Sequence, residues 1–153
     1  PDAILETIES DPPPQAIQVI TNLLDSPGAL KRFEGPAKPR EITAAAHRRG
    51  VGVMGIRAVQ AGALTSEFDR QLPEDHPDLA DYRRAAAFRD LSRELGESPA
   101  ALAHRYALSM DGVATVVLGV KNRAELEECV EAEAKGRLAP EVMARIDGTA
   151  VRG

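Results

Sequence analysis

Apolar positions along this chain change period several times, and the changes mark out alternating helices and strands. The opening run PDAILETIES puts Ile4, Leu5 and Ile8 on one helical face, with Pro1 suited to the first turn. Asp11-Pro12-Pro13-Pro14 stops that helix, and Ala16–Ile20 (AIQVI) reads as a short strand. A loop rich in Pro and Gly is expected from Ser26 to Pro39. Arg40–Arg49 reads as a helix closed by Gly50 at the C′ position. Val51–Ile56 (VGVMGI) is apolar on both faces, as expected inside a parallel sheet. Arg57 to about Asp75 is a long connection at the C-terminal end of a strand, where such length more often serves function than accident.

One helix is predicted from about Pro77 to Leu95, ending at Gly96. The next is capped by Ser98, has Pro99 at its first position and runs to Ser109. Asp111-Gly112 turns the chain into a third strand, Ala114–Leu118. A helix over Arg123–Ala134 follows, then Gly136 and a short helix beginning at Pro140. Strands alternating with helices predict parallel βα units. A doubly wound domain usually needs more than three strands. The expected fold class is therefore α/β: the last three βα units of a (β/α)8 TIM-type barrel, a partial barrel whose N-terminal half is missing. Residues 1–153 are expected to form the C-terminal part of that single domain. The chain opens on a helix where a barrel would place a strand, and without Met, which fits a fragment.

Composition narrows the function classes. At 153 residues with 43% hydrophobic and 3% aromatic content, the chain is globular with a core of Ala, Leu, Val and Ile. A net charge of −5, with basic residues spread among acids, gives no basic patch for nucleic acid. No segment reads as a membrane span or a secretory signal. The single Cys129 excludes an internal disulfide and a Cys-based zinc site. The expected compartment is the cytoplasm.

The richest stretch is Ala114–Cys129, ATVVLGVKNRAELEEC. A strand tip turns on Leu118-Gly119-Val120-Lys121 and enters a fresh helix. Asn122 followed three positions later by Glu125 forms a capping box. Free N–H groups, the helix dipole and Lys121 together suit an anion. In βα barrels a phosphate site often follows the last two strands.

Three segments then carry a family resemblance over nearly the whole chain. VGVMGIRAVQAGALT (Val51–Thr65) resembles the seventh strand and cofactor loop of the aldo-keto reductases. SPAALAHRYALSMDGVATVVLGVKNRAELEECV (Ser98–Val130) is similar to the seventh helix, eighth strand and eighth helix of that family. AIQVITNLLD (Ala16–Asp25) is similar to its sixth strand. The resemblance implies a (β/α)8 barrel that binds extended NAD(P) at the strands' C-terminal ends. It also implies hydride transfer between nicotinamide and a small-molecule carbonyl or alcohol. The family's catalytic Asp, Tyr, Lys and His belong to the first half of the barrel, so no catalytic residue is expected in this chain. No metal site is expected either, since His47 and His76 lack partners at ligand spacing.

Each candidate residue has a functional and a structural reading. Gln18 would bond the nicotinamide carboxamide, or would be a solvent-facing strand residue. Ile56 stands where the family often has a stacked aromatic, and would cover the ring by apolar contact. Arg57 replaces a common Ser, and would fork onto the pyrophosphate or form a salt bridge. The loop Ala58–Gly62, with Val59 and Gly62 among its small and apolar members, would let backbone N–H groups approach phosphate; otherwise it is a tight turn. Gly119, Val120 and Lys121 match the turn after the eighth strand, with Lys121 as the candidate phosphate partner. Glu125 would repel a 2′-phosphate and accept from ribose hydroxyls, giving a mild lean to NAD, or would serve only the helix cap. Glu128 aligns with an adenine-contacting acid, and Cys129 replaces a common Asn. His104, Tyr106, Tyr82 and Phe88 read as packing residues. Two rival functions remain open: a non-catalytic nucleotide-binding or regulatory barrel subunit, and a small α/β module for a phosphorylated ligand.

Overall fold

The computed structural model describes residues 1–30 and 37–150. Residues 31–36 of the expected loop Ser26–Pro39 lie outside that description, as do residues 151–153. Three strands, β1 (Ala16–Ile20), β2 (Gly52–Ile56) and β3 (Val113–Val116), form a parallel sheet in the order β1-β2-β3. The register pairs Gln18 with Met54 and Ile20 with Ile56. It slips between Val53 and Met54 on the β3 side. Around the sheet lie helices α1 (Asp2–Ile8), α2 (Pro39–Arg48), α3 (Pro77–Arg84), α4 (Ala86–Leu95), α5 (Pro99–Ser109), α6 (Arg123–Ala134) and α7 (Pro140–Ala150). The α/β class with a parallel sheet stands.

Alternation along the strands sorts their side chains. Val19 and Val53 are buried against Ile42, Ala45 and Ala46 of α2 and Ile8 of α1. The opposite face, with Ala16, Gln18, Met54, Ile56 and Thr115, is exposed or half-buried. A larger apolar cluster joins α4, α5 and α7 through Phe88, Leu91, Leu102, Tyr106 and Ile146, and Val113 packs against both clusters. Phe88 and Tyr106 are buried, as a packing role requires.

Several elements differ from the sequence pattern. The expected single helix Pro77–Leu95 breaks at Ala85, whose ψ of 7° leaves the helical range. Arg89 donates to the Tyr82 carbonyl beside the break at 2.8 Å. Strand β3 ends at Val116, so Val117 and Leu118 are exposed, although the Val117 N–H still donates to Gly55 O at 2.8 Å. Ile4 is exposed while Ile8 is buried, which narrows the apolar face of α1. The final helix α7 runs for 11 residues and is not short.

The strand tips are joined by a buried polar network. Asn22, just after β1, donates from Nδ2 to Gln60 Oε1 at 3.0 Å and accepts from the N–H groups of Leu24 and Ser26. Gln60, just after β2, donates to Asp81 Oδ2 on α3 at 2.8 Å and accepts from Arg57 Nε at 2.9 Å. Ser26 donates to the same Asp81 oxygen at 2.5 Å. Asn22 and Gln60 are fully buried, so each missing bond would leave a desolvated polar group. Gly28 closes the network from the β1 side. Its φ is +54°, and a Cβ there would meet Asp78, Gln60 Nε2 at 2.7 Å and Arg57 Nη2 at 2.8 Å.

Gly28→Ala is therefore expected to destabilise the fold by about 2–3 kcal/mol, from left-handed strain plus a displaced buried bond. Gly50→Ala provides the control: its φ is +67° but nothing lies within 4 Å of a Cβ, so about 1 kcal/mol is expected. Urea unfolding of the two variants checks this. Equal losses would mean that backbone strain alone acts at Gly28.

Candidate functional site

A cleft of about 580 Å³ opens between the loop after β2 and the turn from β3 into α6, with the first turns of α5 as its back wall. It brings together Val59, Gly62, Gly119, Val120, Lys121, Glu125, Glu128 and Cys129 from the residues singled out above. Ser98, Ala100 and His104 of the α5 region also line it, as do Ala61 and residues of the segment Thr65–Arg70.

The β2 side of the cleft is built on unusual backbone. Arg57, Gln60 and Ala61 have φ values of +58°, +46° and +52°, and Gly62 follows at +92°. Non-glycine residues hold such angles only where surrounding contacts over-determine them. The buried bonds of Gln60 to Asn22, Arg57 and Asp81 are those contacts. The loop thereby places the backbone at Ala61 and Gly62 against the cleft.

The segment after this loop is pinned at several points. The Thr65 hydroxyl lies within hydrogen-bond reach of both Gly62 O and Glu67 O and donates its one proton to either, and Tyr82 donates to Ser66 O at 3.1 Å. Phe68 packs on Tyr82 with ring centroids 5.3 Å apart. Arg70 lies over the Phe68 ring and donates to Ala61 O at 2.6 Å and Asp78 Oδ2 at 2.9 Å. Burial alone would raise the Asp78 carboxyl. Bonds from Arg70 and the Ala29 N–H, with the charge of Arg57, outweigh it and hold that pKa below the ordinary value.

The α6 side follows its sequence closely. Asn122 caps the helix, accepting from Glu125 N–H at 3.0 Å. The reciprocal half of the capping box is shifted by one residue: Glu125 Oε2 accepts from Lys121 N–H at 2.7 Å. Lys121 Nζ pairs with Asp69 across the cleft mouth, which raises the lysine and lowers the aspartate through their hydrogen bond. Ser98 caps α5 by accepting from Ala101 N–H at 3.0 Å and donates its own hydroxyl to Glu128. Cys129 Sγ lies 3.4 Å from His104 Nδ1. Burial, then Glu128 and Glu125, push the thiol's pKa up, so this is not an activated cysteine.

Gln18, Ile56 and Arg57 do not line the cleft. Gln18 is exposed on the sheet face away from α1 and α2. Ile56 ends β2 on that same face, half-buried. Arg57 turns toward Gln60 and Asp78, 3.6 Å from the latter, in a salt bridge. His104 enters the cleft lining although its sequence pattern reads as packing. The i, i+4 spacing of Ala100 and His104 is the signal that puts both on the cleft side of α5. His76 caps α3, its Nδ1 accepting from Asp78 N–H at 3.1 Å. Among the described residues no group of three or more His, Cys, Asp or Glu is placed to hold a metal ion, and no helix is long and apolar enough to cross a membrane.

Burial lowers the pKa of His104, and Glu128 only partly opposes this. The unfolded chain therefore binds this proton more readily than the folded one. Stability is expected to fall as pH drops below about 6.5, by at most about 1.4 kcal/mol per pH unit. His104→Gln should flatten that slope in urea titrations between pH 8 and 5. An unchanged slope would assign it to other groups.

The structure resembles the holo form of the aldo-keto reductase AKR11C1 from Bacillus halodurans, with a TM-score of 0.67 and 24% identity over 97% of this chain and 46% of that one. It also resembles the glycerol dehydrogenase AKR11B4 from Gluconobacter oxydans, with a TM-score of 0.67 and 20% identity over 90% of this chain and 42% of that one. The chain thus spans less than half the length of these structures, and at such identities the likeness speaks for the fold. No curated protein sequence matches the chain. The model of the Aldo/keto reductase family matches residues 3–150, nearly the whole sequence, and the chain belongs to that family.

Proposed function

We propose that this chain is the cofactor-binding half of an NAD(P)-dependent oxidoreductase that interconverts a carbonyl and an alcohol, and that it forms the last three βα units of a barrel. Membership of the aldo/keto reductase family, whose members generally reduce carbonyls with NAD(P)H, supports the reaction class. The observation that carries the reading is the cleft: loop residues Val59 and Gly62 meet Gly119, Val120, Lys121, Glu125, Glu128 and Cys129 in one concave site. Its size and its mixture of apolar and polar walls suit one end of a dinucleotide.

The residues present fit such a group. Val59, Ala100 and Val120 offer apolar surface for an adenine ring, and Ser98 and Glu128 offer polar edges. Lys121 and Arg70 supply positive charge at the rim. The nicotinamide, when bound, supplies the hydride. This chain's residues bind and orient; the proton donor is assigned to another part of the protein. Substrate is a small-molecule carbonyl or alcohol.

The charge on the α6 side supports NAD over NADP. Glu125 is fixed by the Lys121 N–H and Asn122, and Glu128 by Ser98, so two carboxylates face the cleft whether or not a ligand is present. A 2′-phosphate brought near them would meet like charge. In calorimetric titrations NAD is expected to bind more tightly than NADP. Glu125→Gln should narrow the gap roughly five- to tenfold, the size of one like-charge contact at a partly exposed site. Tighter NADP binding, indifferent to that substitution, would remove the preference. Failure of both nucleotides to bind would remove the cofactor reading.

A further inference from the structure

We propose that Arg40 is a pH-sensitive clasp that moors helix α7 to the joint at the strand tips, closing when Asp25 takes up a proton and loosening when it gives it up. Side chains from three other elements meet at this guanidinium of α2. Its Nη1 donates to Asp25 Oδ2 at 2.5 Å, in the loop that follows β1. Its Nη2 donates to Asp147 Oδ1 on α7 at 3.1 Å and to the Tyr106 hydroxyl on α5. Tyr106 in turn donates to the same Asp147 oxygen at 2.5 Å. The Asp25 N–H donates to Asn22 O, and the Asn22 side chain bonds Gln60. The clasp is thereby anchored in the buried amide network.

On the side facing α2, this clasp is what ties α7 down. The helix packs into the core through Ile146 and pairs with α4 through Arg145 and Glu94. Toward α2 a groove of about 1070 Å³ opens, lined by Ala44 and His47 of α2 and by Met143 and Ala144 of α7. The Arg40–Asp147 salt bridge joins the two helices across it. Without that bridge α7 would keep its core contacts but lose its tie to α2.

The clasp sets one positive charge against two carboxylates. Burial and the bond to Asp147 push the Tyr106 hydroxyl far up, so it stays neutral. The two acids are not equally satisfied. Asp147 Oδ1 accepts twice, whereas Asp25 Oδ1 is buried with no hydrogen-bond partner among the described residues. A charged oxygen in that position costs more than a neutral one. From α2, α5 and α7 the groups that face Asp25 are Arg40, Tyr106 and Asp147; from α3, Arg84 reaches the preceding Leu24 carbonyl. Burial raises the Asp25 carboxyl; Arg40 opposes this, Asp147 adds to it, and the net shift is upward. Such a group stabilises the fold below its unfolded pKa and loses that contribution as pH rises through its folded one. Protonated Asp25 leaves Arg40 matched one to one with Asp147, so the clasp tightens as pH falls from neutral toward the carboxylate range.

Hydrogen–deuterium exchange on the 153-residue chain tests this, read as protection of α7 relative to β2 between about pH 7.5 and 5. The β2 reference removes the global loss expected from His104, which has the opposite sign. In the parent, relative protection of α7 should rise as pH falls. Asp25→Asn removes the titrating charge, and Asn tolerates the φ of +49° at this position. It should raise α7 protection about twofold to fivefold at neutral pH and flatten the profile. Asp147→Asn should lower α7 protection about tenfold. Tyr106→Phe should lower it by a smaller factor and keep the parent's slope. A flat parent profile, or an Asp25→Asn profile with the parent's slope, overturns the switch. Unchanged α7 protection in Asp147→Asn overturns the mooring itself. No nucleotide enters the experiment, so either failure leaves the cofactor reading standing.

Discussion

Two parallel strands end side by side at Ile20 and Ile56, and each must turn away from the sheet with its backbone groups still satisfied. The bonds from Asn22 to Gln60 and from Gln60 to Asp81 solve this by tying the two departing loops to each other and to α3. Both amides are fully buried. Satisfied networks of this kind favour one arrangement strongly, because any alternative strands a donor or acceptor away from water. The left-handed backbone at Arg57, Gln60 and Ala61 is tolerable only under that constraint. Without it the loop would relax toward ordinary angles, and Ala61 and Gly62 would no longer hold their place on the cleft wall.

The same joint decides where charge goes. A tip loop that carries Arg57 needs an acid nearby, and α3 supplies Asp78 and Asp81 from one buried face. Asp78 then also receives Arg70 from the following segment. On the far wall the acids Glu125 and Glu128 are fixed by helix-capping partners, one at the start of α6 and one through the Ser98 cap of α5. The cleft thus carries mixed charge on both sides, Arg70 with Glu67 and Asp69 on one and Lys121 with Glu125 and Glu128 on the other, several of them already held by protein partners. Preorganisation of this sort lowers the entropy lost on binding.

Much of this was legible in the residue order, for physical reasons that differ by element. Helix α6 and its cap could be read because Asn122 and Glu125 act within one turn, so local sequence holds all the information. Strand β2 and the parallel arrangement followed from runs of apolar residues on both faces. The break at Ala85 was not legible: no Gly or Pro marks it, and Ala favours continuation. The direction of Arg57 was equally hidden, since its partners Gln60 and Asp78 include one 21 positions away that only the fold brings near. Arg70 escaped notice because nothing local separates it from other loop arginines. His104 was legible in part. Its burial fits the packing reading, and its place beside Cys129 depends on how α5 meets α6.

Gln18 and Ile56 show what the cleft alone does not explain. Both belong to the sheet face opposite α1 and α2, and that face is exposed or half-buried among the described residues. A solvated Gln makes its bonds to water as readily as to a ligand, so its contribution to binding there is small. The same amide in a water-poor interior would discriminate strongly, because an unmet partner then costs the full desolvation penalty. In the barrel reading proposed above, further strands would cover this face and place Gln18 and Ile56 in such an interior. The adenine end of a dinucleotide would then depend on this chain's cleft, and the nicotinamide end on how that face is enclosed. The two halves of the ligand would thus be recognised under different dielectric conditions, one at a partly wet rim and the other in a sealed core, which is where hydride chemistry needs water excluded.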